Sequence, residues 1–260
     1  MLLTALRAFT DNYIWMIDDG RSALVVDPGQ SEPVERALDA RRLELAGILV
    51  THHHADHTGG VDALRARLRG PVFAPAREWL ADPAERVREG DRVRVDALGL
   101  AFDVLDIPAH TAGHVAFVGD AAGGAGEPIV FCGDTLFAAG CGRLFEGTPA
   151  DMHRALGKLA ALPDATRVCC GHEYTLSNLA FAAAVEPSNE EIPAFAEHCR
   201  ALRVRDEPTL PSTIARERRI NPFMRTAEDE VVRSALAHGA TGTDPVDVLA
   251  ALRTWKNAYR

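Results

Sequence analysis

Hydrophobic positions in the first two thirds of the chain fall in short runs broken by turn-forming residues. Leu24-Val25-Val26-Asp27 is an apolar run stopped by Pro28-Gly29, which predicts a strand followed by a turn. Ala46-Gly47-Ile48-Leu49-Val50-Thr51 is apolar throughout, which predicts a strand buried on both faces. Further strands are expected at Pro71 to Ala74, Arg92 to Val95, Ala101 to Ile107, Val115 to Val118, Ile129 to Cys132 and Arg167 to Cys170. Glu32 to Arg41 and Val61 to Arg67 have helical character, and the Gly-rich stretch from Gly119 to Gly126 reads as a hairpin loop. Thr148-Pro149-x-Asp151 forms an N-cap followed by proline, and the helix it starts runs to about Leu162.

After His172 the pattern changes. Apolar residues recur at helical spacing through Leu176 to Val185, Ile192 to Leu202, Glu228 to Ala237 and Val246 to Trp255, and strand patterning nearly vanishes. This predicts an α+β domain over residues 1–172 and a smaller helical domain over 173–260.

Composition adds class and compartment. Of 260 residues, 47% are hydrophobic and 25% charged, as in a soluble globular protein, and no apolar run is long enough to span a bilayer. Met1-Leu2-Leu3-Thr4-Ala5 soon meets Arg7 and Asp11, so a signal-peptide core is not expected and the cytoplasm is. A net charge of −9 argues against broad nucleic-acid binding but allows a small anion held by local cations. Cys132, Cys141, Cys169, Cys170 and Cys199 are odd in number and lack C-x-x-C spacing, so reduced thiols are expected.

The chemistry gathers at strand ends. His52-x-His54-x-Asp56-His57 follows the buried strand directly. Alternate residues of extended backbone share a face, so His52 and His54 can aim at one spot while Asp56 and His57 reach a neighbouring one. Imidazole and carboxylate suit zinc, iron and manganese. One such motif cannot saturate two metals. His110, Asp134 and His172 each follow another predicted strand and are the candidate partners. A lone strand-end histidine is more often a cap or surface residue; the cluster changes that weighting.

With these residues in view, the chain resembles the metallo-β-lactamase superfamily through Thr51-His52-x-His54-x-Asp56-His57. More narrowly it is similar to glyoxalase II, the hydroxyacylglutathione hydrolases. That similarity rests on Ala139 to Gly147, Gly171-His172-Glu173-Tyr174-Thr175, Pro211-Ser212-Thr213, Asn221-Pro222-Phe223 and Arg253-x-x-Lys256. The resemblance implies an αββα sandwich followed by a smaller all-helical C-terminal domain. It implies two divalent metal ions, zinc foremost, with iron or manganese compatible. His52, His54 and His110 would hold one, Asp56, His57 and His172 the other, and Asp134 would bridge them. His53 and His114 are not implied as ligands.

The reaction so implied is attack of a metal-bound hydroxide, oriented by Asp56 and Asp134, on the thioester of S-D-lactoylglutathione. Glutathione carries two carboxylates, so Arg143, Arg253 and Lys256 are its expected cationic partners. Tyr174 and Phe145 are the expected packing faces, Phe145 standing where some relatives carry tyrosine. A monomer with no nucleic-acid or membrane partner is expected. The rival readings are a single-iron persulfide dioxygenase, a metal-dependent nuclease and a non-catalytic metal module. A structural zinc site closes with four protein ligands, whereas seven candidates suit an open pair.

Overall fold

A computed structural model of the protein describes residues 1–120 and 126–259. Two six-stranded sheets stack face to face. The first runs β1 (Leu2–Ala8), β2 (Asn12–Asp18), β3 (Ser22–Val26), β4 (Glu44–Leu49), β5 (Val72–Pro75), β6 (Glu85–Val87), in that spatial order. The second contains β7 (Arg92–Val95), β8 (Leu100–Asp106), β9 (Val115–Asp120), β10 (Pro128–Gly133), β13 (Arg167–Cys170) and β14 (Ser212–Thr213). A short hairpin, β11 (Leu136–Phe137) and β12 (Gly140–Cys141), follows β10.

The burial pattern explains the layering. Every residue of β2 is buried. Tyr13, Trp15 and Ile17 enter the core between the sheets, while Ile14 and Met16 enter a second core on the outer face. Side chains alternate across a strand, so a sheet covered on both sides shows a continuous apolar run. Val34 and Leu38 of α1 (Ser31–Arg41) cover that outer face. The short helices α2 (Ala55–Thr58) and α3 (Val61–Leu64) follow β4, and Val61 and Leu64 join the same cover. Met152, Ala155, Leu156 and Leu159 of α4 (Pro149–Ala160) pack beside the second sheet. Thr148 and Asp151 form a reciprocal capping box at its start. The layers are therefore α, β, β, α.

The chain beyond His172 folds as α5 (Thr175–Val185), α6 (Glu191–Val204), α7 (Ile214–Ile220), α8 (Asp229–Ala237) and α9 (Pro245–Ala258). Phe181, Phe223, Val248 and Leu252 join the same apolar cluster as the second sheet and α4. The expectation of an all-helical C-terminal part needs one amendment. Ser212–Thr213 adds the two-residue strand β14 to the edge of β13. Two residues are too short to show a period. β1 and β2 were also not expected: β1 is half-exposed and β2 does not alternate.

The β9–β10 hairpin pairs Asp120 with Pro128, whereas most of the expected Gly119 to Gly126 loop lies outside the described residues. All five cysteines are buried and free. Among the described residues, no helix is long and apolar enough to cross a membrane.

Candidate active site

The strand ends converge. His52 to His57 follow β4, His110 follows β8, Asp134 follows β10 and His172 follows β13. The turn after β1 joins them: Tyr13 N–H donates to Gly171 O (2.8 Å) and Asn12 bridges to His172, which ties the first sheet to the second. Two glycines permit the close approach. Gly133 has a φ of 46°, and a Cβ there would lie 2.3 Å from Thr51 Oγ1. At Gly171 a Cβ would lie 2.6 Å from both Asp134 Oδ1 and His57 Cε1.

Three ring nitrogens form a first group. His54 Nδ1 stands 3.2 Å from His52 Nε2 and 3.1 Å from His110 Nε2. Asp56, His57 and His172 form a second group. His57 Nε2 is 3.6 Å and His172 Nε2 3.4 Å from Asp56 Oδ2. Asp134 reaches both groups: it lies 3.4 Å from His57 Nε2, 3.4 Å from His110 Nε2 and 3.3 Å from His172 Nε2.

Three of the rings are held from behind. His57 Nδ1 donates to Asp27 (3.1 Å), His110 Nδ1 to Arg143 O (2.9 Å) and His172 Nδ1 to Asp11 (2.8 Å). A proton fixed on Nδ1 leaves the Nε2 lone pair facing the centre. Asp27 is buried and also accepts from Thr51 N–H and Oγ1, both at 2.7 Å. Asn12 Nδ2 donates to Asp56 Oδ2 (2.9 Å). Neither Asp11, Asn12 nor Asp27 was singled out from the sequence.

His53 turns away from the centre toward Glu78 and Glu146. His114 accepts from Asp134 N–H (3.1 Å) through Nε2 and lies stacked on His52. Glu78 accepts from His53 N–H, Thr111 Oγ1 and Gly113 N–H, so it ties the two histidine loops together.

The electrostatics call for cations. Burial drives His52 well below the usual imidazole range and lowers His54 and His110 too, so this group is neutral and its lone pairs are available. In the second group burial opposes charge, but Asp134 and Asp27 lift His57, and hydrogen bonds to Asp134 and Asp56 raise His172 to about 11. The hydrogen bond from His172 holds the Asp56 carboxyl well below its usual range; Asp134 is held there too, against its burial, by His57 and His172. Among the described residues, His57 Nε2 and Asp134 Oδ1 are buried without a hydrogen-bond partner. Buried polar atoms left so are costly. Neutral imidazoles in the first group, carboxylates held ionised by cationic charge in the second, and buried ligand atoms left without a hydrogen bond fit a pair of metal ions.

The groups open into a cleft of about 710 Å³. Arg143, Phe145, Tyr174, Arg253 and Lys256 all line it, together with Phe137, Asn178 and Tyr259. Tyr174 stacks on His172 at 4.7 Å between ring centroids. Phe145 is exposed, 5.2 Å from the His110 ring and 5.6 Å from His54. Arg253 is buried, with Nη1 donating to Cys141 O (2.7 Å) and Nε unpartnered. Lys256 donates to Ser177 O (3.0 Å) and Oγ (3.2 Å).

Comparison with known proteins bears on the whole chain. The metallo-beta-lactamase superfamily model matches residues 8–172, and the model for the hydroxyacylglutathione hydrolase C-terminus matches residues 173–259. The hydroxyacylglutathione hydrolase of Albidiferax ferrireducens is 56% identical over 100% of both chains, and that of Cupriavidus taiwanensis 53% identical over 97% of each. The chain belongs to the hydroxyacylglutathione hydrolase family of the metallo-β-lactamase superfamily. The structure of ETHE1 from Myxococcus xanthus is also similar, at 27% identity with a TM-score of 0.64 over 100% of both chains. The B3 metallo-beta-lactamase BLEG-1, at 22% identity and a TM-score of 0.62, shares the fold over 86% of this chain and 99% of its own. As a member of this superfamily, the chain carries its His/Asp clusters as a dinuclear metal site.

Proposed function

We propose that the chain hydrolyses S-(2-hydroxyacyl)glutathione, S-D-lactoylglutathione foremost, to glutathione and a 2-hydroxy acid, D-lactate for that substrate. One observation carries the reading: the two ligand groups and the cations Arg143, Arg253 and Lys256 share a single cleft. The family relationship agrees with it.

In this reading His52, His54 and His110 hold one metal, Asp56, His57 and His172 the other, and Asp134 serves both. We take the metals to be zinc; iron and manganese suit the same donors. When bound, such a pair supplies Lewis acidity and brings the pKa of water to about 7 in the case of zinc. The chain's own residues do the rest. Asp56 and Asp134 orient the attacking water by accepting its hydrogen bonds. Arg253, Lys256 and Arg143 bind the glutathione carboxylates, and Tyr174 and Phe145 supply packing faces. Water adds its oxygen to the thioester carbonyl carbon and gives up its protons to solvent, the C–S bond breaks, and the products leave as the 2-hydroxy acid anion and the thiolate. A thiol pKa of about 8.5 means that departure needs no strong general acid.

We assign residues 1–172 to the metal domain and 173–260 to glutathione binding. We also read the enzyme as a cytoplasmic monomer without nucleic-acid or membrane partners. Its net charge of −9 and its buried free thiols support the cytoplasm and the absence of nucleic acid. The rival single-iron persulfide dioxygenase leaves the second ligand group, Asp56, His57 and His172, without a task.

The deciding experiment follows thiol release from S-D-lactoylglutathione by metal-replete protein, before and after chelation. Release that chelation abolishes is expected. Metal-replete protein that leaves the thioester intact would sink the proposal.

A further inference from the structure

The β11–β12 turn leads from Asp134 toward Arg143 and Phe145. Ala139 within it has a φ of 55°, a left-handed conformation that costs a non-glycine residue energy, so the turn needs outside support. That support comes from beyond residue 172. Five consecutive residues each give one backbone group to a side chain from the C-terminal part. Asn221 Nδ2 donates to Phe137 O (3.2 Å) and Gly140 O (2.9 Å), and Asn178 Nδ2 donates to Ala138 O (3.1 Å). Ala139 N–H donates to Glu217 Oε2 (2.7 Å), and Arg253 Nη1 donates to Cys141 O (2.7 Å).

Glu217 is the hub. It is wholly buried, and it also accepts from Ser212 Oγ (2.5 Å) and Asn221 Nδ2 (3.0 Å). Asn221 is equally buried. Its three donors give both carboxyl oxygens a partner, and a network of this kind fixes one geometry. The metal end of the loop is anchored separately. Asp134 N–H donates to His114 Nε2 (3.1 Å), Thr135 N–H to Cys132 O (3.1 Å) and Thr135 Oγ1 to Ile107 O (3.3 Å). The far end, at Arg143 and Phe145, is exposed.

We propose that Glu217 and Asn221 are positioning residues for substrate binding: they clamp the β11–β12 turn and thereby set where Arg143 and Phe145 meet the substrate. The proposal rests on the glutathione-thioester reading for what is bound. Asp134 has its own anchors, and at the far end Arg143 O and Phe145 N–H keep their bonds to His110, so loosening the clamp shifts the Arg143 and Phe145 side chains more than the metal cradle.

The test uses metal-replete full-length protein. Glu217→Ala leaves Ala139 N–H without its acceptor and removes one of the three acceptors of Asn221 Nδ2. Asn221→Ser keeps a side-chain oxygen to cap Phe223 N–H but deletes the three bonds made by Nδ2. Glu217→Gln keeps an oxygen for Ala139 and Asn221, and its amide can donate to Ser212. For the Ala and Ser variants we expect KM for S-D-lactoylglutathione to rise about tenfold with kcat within about threefold, the pattern of lost ground-state binding. Metal content should stay at the wild-type value. Hydrogen exchange at residues 137–145 should quicken in both, and Glu217→Gln should restore KM and exchange.

Folded Glu217→Ala or Asn221→Ser with unchanged KM and unchanged exchange overturns the clamp. So does loss of metal at constant KM. If Glu217→Ala fails to fold, Asn221→Ser decides alone. Wild-type protein that leaves the thioester intact overturns the substrate reading, and exchange in the variants then still decides whether the clamp exists.

Discussion

The metal cradle and the proposed recognition side of the cleft are built by different means. In the cradle, short side chains follow strand ends, and the rings of His57, His110 and His172 are each fixed from behind by Asp27, the Arg143 carbonyl and Asp11. On the recognition side, Arg143 and Phe145 sit exposed on a loop, while Arg253 and Lys256 reach in from α9. A prearranged set of ligands needs no reordering during reaction. Exposed Arg143 must be ordered on binding, at about 0.5–1.5 kcal/mol, whereas Arg253 and Lys256 are already held by Cys141 O and Ser177. Damage to the cradle should therefore appear in metal content and kcat, and damage to the recognition side in KM.

The harshest way to break this division is at the carboxylate both ligand groups share. Asp134→Ala should lower kcat/KM at least about a thousandfold, equivalent to about 4 kcal/mol of transition-state stabilisation. Metal analysis should show depletion. Full metal content with preserved turnover would mean that the two groups work without Asp134. A gentler probe is Asp11→Ala, which removes the acceptor behind His172. Partners of this kind are worth about 10–100-fold in metal affinity. Competition titration should show that loss at one metal only, with KM for the thioester unmoved. Equal weakening of both metals would show that the cradle responds as one unit and that Asp11 has no local role.

What was legible in the sequence follows from the same division. The seven candidate ligands all come just after apolar runs end, and the unbroken apolar run of β4 declares that strand without alternation. The residues that steady those ligands leave no such mark. Asp27 reads as the last residue of a strand before Pro28-Gly29, although its carboxylate serves Thr51 and His57. Asp11 lies ahead of β2, whose complete burial removes any period. Glu217 meets Ala139 across 78 residues of sequence, and no local pattern reports such a contact. Arg253 and Lys256 share a helix face at i, i+3 spacing, which suits a solvated surface equally well. Only the fold shows Arg253 buried against Cys141.

The smallest expected effect sharpens the recognition side through pH. Burial, reinforced by neighbouring Arg253, lowers the Lys256 amine to about 8. Its Nζ lies 5.4 Å from the Phe181 ring centroid and donates to Ser177, so it is held in place whether or not substrate is present. An anion beside it favours the charged form, so the pKa is higher in the complex than in the free enzyme. Below pH 8 the free amine is already charged, and binding takes up no proton. Above pH 8 binding must first protonate it, and KM rises. With a free-enzyme pKa of about 8, KM should grow about tenfold between pH 7 and pH 9. Lys256→Arg stays charged across this range. It should flatten that rise while leaving any contribution from the substrate's own amine, so the difference between the two profiles isolates Lys256. Superimposable profiles would show that Lys256 does not meet the anion and is, after all, a helix-face lysine packed on Phe181.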